Sequence, residues 1–212
     1  MEIGGWAMGR HAVVVAALIS VISFIGVLAE SSCRSTPPRV TFEARVSDLR
    51  KPSNSFARNK APDDLLQLSL PGKLLQPPAP VILVPRSAAD WSTPERAVAS
   101  IISANVAGDV SWMLENFVRP EREGVARQLA DPAALKRGRD YYRNAGKASI
   151  TASVEIRGFT VLFLLALDDD GDATFLNAAL SKTPEGWKQT NALAEDDTLD
   201  LVSAALHTAS AR

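Results

Sequence analysis

The sequence predicts an α+β fold: N-terminal helices packed on an antiparallel sheet of about four strands, behind an apolar leader and a proline-rich stretch. Three observations predict it. Eighteen uncharged residues run from Ala12 to Ala29 (AVVVAALISVISFIGVLA), a length hard to place in a soluble core. Ten of the thirteen prolines lie between Pro37 and Pro94, where helices cannot persist. Beyond Pro94 the apolar residues first recur at helical spacing and then, after Gly146, at alternate positions.

The leader, residues 1–29, supports two readings. A cleaved signal peptide has an apolar region of about 7–15 residues and a spanning helix one of about 20; this run lies between them. As a helix it covers about 27 Å, close to the hydrocarbon thickness. Val27-Leu28-Ala29 also offers the small residues that a signal peptidase reads. The leader is therefore either a single-pass anchor with the domain outside the cytoplasm or a signal cleaved near Ala29 from a periplasmic or secreted chain. Arg10 precedes the run, with Glu2 against it, and Arg34 and Arg39 follow, so charge bias does not orient it.

Cys33 is the only cysteine, so no internal disulfide framework exists and stability must come from an apolar core. Lipidation of Cys33 is disfavoured, because Glu30 stands where a lipobox needs an apolar residue; an unmodified thiol is the simpler reading. About 183 residues follow the leader, enough for one domain. Net charge is −1, from 23 basic and 24 acidic residues without a long block of either sign, which leaves no electrostatic footprint for nucleic acid.

Residues 30–90 read as a proline-rich linker, with 30–62 mostly disordered or extended and 63–90 an extended arm. Leu65 to Leu70 and Val81 to Val84 are apolar enough for that arm to lie on a neighbouring surface. The domain starts at Trp91. Thr93 suits an N-cap, Pro94 the first helical position, and Glu95 the positive end of the helix dipole. Ala97, Val98, Ile101, Ile102 and Val106 form one stripe, and Gly108 ends it with Asp109 ready to cap the next helix. Val110, Met113, Leu114 and Phe117 make a second stripe; a short helical turn over 121–129 and a helix from Asp131-Pro132 to about Asn144 follow.

Ile150, Ala152, Val154 and Ile156 then alternate with polar residues, as in a half-buried strand. Phe159 to Leu167 is nearly all apolar, Asp168 to Asp172 is a turn, Ala173 to Lys182 is a strand, and Pro184-Glu185-Gly186 turns into Trp187 to Leu193. Strands joined by such short turns are antiparallel. Because Phe159 to Leu167 is apolar on both faces, it needs two covers: the helical layer, and either a second copy of the domain or the Leu65–Val84 arm. Residues 195–212 read as a short amphipathic helix, with Leu199, Val202, Ala205 and Leu206 on one side, Asp196, Asp197 and Asp200 early, and His207 and Arg212 late.

Thr93-Pro94-Glu95-Arg96-Ala97-Val98, Ala107-Gly108-Asp109, Phe117 and Gly186-Trp187-Lys188, in this order and spacing, resemble the NTF2-like superfamily in the branch attached to bacterial export leaders and lipoproteins. The resemblance covers about residues 91–194. It implies a bent sheet wrapped around the helices as a cone with a cavity, and leaves the activity open because the superfamily holds enzymes, ligand binders and assembly modules. Within such a cavity the candidate ligand contacts are Tyr141, Tyr142, Trp112 and Trp187.

No catalytic set emerges. His11 lies in the leader and His207 suits the end of a helix, so a histidine dyad for a metal is excluded by count. Read as an EF-hand loop from Asp168, the acidic run puts Ala173 and Ala179 where glycine and glutamate are required, so no metal site is expected. No cofactor is called for. Two function classes follow: a noncatalytic envelope module that binds a protein partner, a second copy of itself or a small apolar ligand through its sheet or cavity, with residues 12–29 contacting the membrane; or an isomerase or dehydratase with an aspartate or tyrosine acid/base in the cone.

Overall fold

The computed structural model describes residues 37–51, 53–142, 147–167 and 173–210. The leader, Cys33 and the acidic run from Asp168 to Asp172 lie outside the described residues. Among those described, no helix is long and apolar enough to cross a membrane.

The fold is α+β, with a six-stranded antiparallel sheet rather than the four strands expected. The strands are β1 (Arg39–Arg45), β2 (Leu65–Pro80), β3 (Ala148–Ile156), β4 (Phe159–Leu167), β5 (Ala173–Thr183) and β6 (Gly186–Gln189), and they neighbour one another in chain order. The two extra strands come from the stretch read as linker and arm. β2 pairs with β1 through Leu65–Pro71, then with β3 from Gly72 onward. That second ladder is interrupted between Leu74 and Ala79, where Pro77 and Pro78 have no N–H to donate. Gly72 lies so close to β3 that a Cβ would meet the Ser153 carbonyl oxygen at 2.5 Å. Proline density concealed this strand because edge and irregular positions tolerate proline.

The helices follow the caps. In α1 (Pro94–Ala107) the Thr93 hydroxyl accepts from the Arg96 N–H, and Gly108 closes the helix at φ 65°, a left-handed conformation that favours glycine. Asp109 accepts from the Trp112 N–H to start α2 (Val110–Asn116). Two further helices, α3 (Arg122–Leu129) and α4 (Pro132–Tyr142), precede the sheet, and α5 (Asp197–Ser210) follows it. Asp196 caps α5, accepting from the Thr198 and Leu199 N–H groups, and pairs with Arg157 at 2.7 Å.

Both faces of the sheet are covered. On one, Ala97, Val98, Ile101 and Ile102 of α1 pack on Ile150, Leu162, Leu164, Leu176 and Leu180. On the other, Leu199, Leu201, Val202, Ala204 and Ala205 of α5 pack with Phe42, Ala44, Leu66, Val154, Ile156, Val161 and Phe163. The second cover of β4 thus lies within the chain: α5 supplies it, in a cluster that also takes in Phe42 and Ala44 of β1 and Leu66, Leu68 and Leu70 of β2. The alternation of β3 also divides. Ile150 pairs with Leu164 but Ala152 with Phe163, so Thr151 is an extra residue that turns the second half of the strand to the opposite face. Ile150 therefore meets α1 while Val154 and Ile156 meet α5.

The connection after β1 is fastened to the first turn of α5. The buried Asp200 carboxylate accepts from the Arg50 N–H at 3.1 Å, the Lys51 N–H at 3.2 Å and Asn54 Nδ2 at 2.9 Å. Asp197 accepts from the Ser55 N–H at 3.0 Å. These bonds tie residues about 145 positions apart in sequence, which binds the N-terminal hairpin to the last helix.

Leu201→Ala should remove a fully buried side chain from the α5 layer and lower unfolding free energy by about 2–5 kcal/mol; urea denaturation measures it, and a loss below about 1 kcal/mol would show that α5 is not a core element. Tyr142 packs against the α1-side core, and burial, then the neighbouring Tyr141, push its hydroxyl up to about 12. Because the folded value lies above the unfolded one, this contribution is complete below about pH 10 and is lost, by up to ~2 kcal/mol, as pH rises towards about 12. Denaturation at about pH 9 and about pH 11.5 should show a smaller alkaline loss for Tyr142→Phe than for the wild type; equal losses would rule this contribution out.

Candidate functional site

A cavity of about 530 Å³ opens between β5 and α5. Four rings stand in its wall: Phe163 from β4, Phe175 from β5, Tyr141 from α4 and His207 from α5. Ala204, Leu206 and Leu176 add aliphatic surface. Polar groups stand around them: Asp48 and Arg50 from the connection after β1, Asn177 from β5, and Ser203 and Thr208 from α5. A second cavity, about 270 Å³, shares Arg50, Asn177 and Ser203 with the first and is otherwise lined by Lys51, Ala194, Glu195, Asp196, Leu199 and Asp200. The two cavities therefore meet across three side chains.

The walls follow from local structure. Helical spacing brings Ser203 and His207 to one side of α5, one turn apart, and alternation in β5 turns Phe175 and Asn177 the same way. The Phe175 and His207 rings lie 4.5 Å apart, tilted at 50°, within the range at which aromatic rings attract. The Tyr141 hydroxyl donates to the Phe175 carbonyl oxygen at 3.2 Å. Burial raises its ionisation above the ordinary value, with the Arg50 charge opposing that rise. Asp48 accepts from the Thr208 hydroxyl and from the Arg45 N–H, each at 3.3 Å. Neither Asp48 nor Tyr141 hydrogen-bonds the other, so a proton relay between them is not formed here.

The four residues singled out from sequence do not converge. Tyr141 lines the cavity, while Tyr142, its ring set edge-on to Tyr141 at 5.3 Å, turns into the α1-side core. Trp187 packs against the same core, and its backbone N–H donates to the Trp91 carbonyl oxygen at 2.8 Å. Trp112 is buried in a third cluster with Ala104 and Met113, and its indole N–H has no partner among the described residues. His207 stands in the last turn of α5, as its dipole reading requires, and it also faces Phe175. Arg50, Phe163, Phe175, Asn177 and Ser203 were not distinguished in the sequence. No local motif joins them; only the second cover of β4, a feature of the pattern, could have pointed to the layer where they meet.

Elsewhere, Lys188 is buried with its ammonium 3.6 Å from the centre of the Trp91 ring and donates to the Glu115 carbonyl oxygen at 2.9 Å. Burial, and then the Arg122 charge, lower its ionisation. Trp91 Nε1 in turn donates to Asn116 Oδ1 at 2.7 Å. This cluster is satisfied within the fold, joining the segment ahead of α1 to α2 and β6. Among the described residues no group of three or more His, Cys, Asp or Glu side chains is placed to hold a metal.

Comparison of the chain with protein-family models, with curated proteins and with solved structures finds no match.

Proposed function

We propose that this chain is a noncatalytic module of the cell envelope, exported or held in the membrane by residues 12–29, whose NTF2-like domain binds a small, largely apolar ligand between α5 and β5. The single observation behind the binding reading is the 530 Å³ cavity walled by Tyr141, Phe163, Phe175 and His207. That volume lies in the range of about 300–1,000 Å³ typical of small-molecule sites, and aromatic walls with a few polar groups are their usual lining. The NTF2-like reading is supported by the order of elements, with four helices ahead of the meander from β3 to β6. The envelope reading rests on the apolar run from Ala12 to Ala29.

One observation favours a second reading, an acid/base isomerase or dehydratase: Asp48 and Tyr141 line the same cavity. Against it, the Tyr141 hydroxyl is given to the Phe175 carbonyl oxygen and no hydrogen bond joins it to Asp48, whose own bonds both fall on Oδ2. An acid/base pair is therefore not assembled, and binding is the preferred reading.

The uncharged fluorophore N-phenyl-1-naphthylamine should bind saturably to the full-length chain in lipid nanodiscs after subtraction of empty discs. Phe175→Ala, which removes one aromatic wall, should weaken this binding about tenfold. No saturable signal above empty discs would overturn the cavity reading. For the envelope reading, the lone Cys33 supplies the test. A membrane-impermeant maleimide should label it in intact cells, and the mass of the labelled product reports whether residues 1–29 have been removed; labelling only after lysis would overturn export.

A further inference from the structure

We propose that the ligand of this cavity is an anionic amphiphile, with its apolar body among the rings and its acidic head held by Arg50, Asn177 and Ser203. This rests on the cavity being a ligand site and adds the chemical class of what fills it. The three side chains line both cavities, so they stand where the two meet. Among the described residues none of the three side chains makes a hydrogen bond or an ion pair, although Arg50 is bonded through its backbone N–H. A guanidinium, a carboxamide and a hydroxyl left uncommitted at one junction offer up to eight N–H and O–H donors.

Among the described residues Arg50 makes an ion pair with none of the acids around it. Asp200 accepts from the Arg50 and Lys51 N–H groups and from Asn54. Asp196 pairs with Arg157 and caps α5. Glu195 pairs with Lys51 at 3.3 Å, and Asp48 accepts from Thr208. Arg50 is therefore a cation of the junction without an ion pair among the described residues, and its planar fork matches a carboxylate or a phosphate oxygen pair. Its charge already reaches the Tyr141 hydroxyl inside the larger cavity. Across that cavity stand Phe163 and Phe175, so a molecule bound by its head at Arg50 lays its body on them. An uncharged apolar ligand would make no use of the three donors.

The test compares two fluorophores that share a ring system on the full-length chain in nanodiscs: 8-anilinonaphthalene-1-sulfonate, which carries an anionic head, and N-phenyl-1-naphthylamine, which does not. Arg50→Gln should weaken the sulfonate about tenfold and leave the uncharged analogue within about twofold. Asn177→Ala and Ser203→Ala should weaken the sulfonate by smaller factors in the same sense. Arg58→Gln, the same charge change at an exposed position outside both cavities, should leave both fluorophores unaffected. Arg50 is exposed and its side chain is unbonded, so the thermal midpoint should not move. Competition in discs containing phosphatidylglycerol but not in phosphatidylcholine discs would assign the head to a bilayer lipid; equal sulfonate affinity in both would assign it to a soluble acid. Binding of the uncharged fluorophore with no Arg50-dependent preference for the sulfonate overturns the anionic head and leaves the cavity reading standing. Binding of neither overturns both, and equal sulfonate losses in Arg50→Gln and Arg58→Gln overturn the assignment to Arg50.

Discussion

A strand that is apolar on both faces decides the architecture of this chain. Val161 and Phe163 of β4 point to one side and Leu162, Leu164 and Ala166 to the other, and all are almost wholly buried. Each fully buried side chain of this size contributes on the order of 1.5–3 kcal/mol relative to exposure, so neither face can be left to water. The chain answers with two helical covers, α1 ahead of the sheet and α5 after it. An antiparallel sheet with one solvated face would have needed only one.

The cavity is a consequence of this second cover. α5 is anchored at its start, where Asp196 caps it and Asp197 and Asp200 gather the N–H groups of the connection after β1. Its apolar side then runs over Phe163 and Ala179, while Ser203 and His207 stand at the edge of the layer beside β5. Alternation along β5 turns Phe175 and Asn177 to the cavity side, where Ser203 and His207 of α5 also stand. Rings and uncommitted donors therefore meet on rigid elements, an arrangement better suited to holding a ligand than to moving a proton.

Much of the fold is legible residue by residue because its signals are local. Thr93, Pro94, Gly108 and Asp109 act on N–H groups within one turn, and the β3–β4–β5 meander is set by short turns between apolar runs. The β1–β2 pairing was hidden because its strands lie among prolines and are separated by residues 46–64, although Val40, Thr41 and Phe42 are themselves strand formers. The alternation of β3 was read as a single buried face, whereas the extra residue at Thr151 sends its two halves to different layers. A bulge leaves the pattern of apolar and polar letters unchanged, and only the register against β4 discloses it.

By itself the sequence determined the α+β class, the bounds of α1 and the central strands, the lack of a disulfide framework, and the demand of β4 for two covers, because each depends on neighbouring residues or on composition. The tertiary structure alone decided which segment supplies the second cover, how many strands the sheet has, and which side chains share the cavity. Arg50, Tyr141, Asn177 and Ser203 come from four separate elements, and their meeting depends on long-range packing and on the hydrogen bonds of Asp200, terms that no local period records.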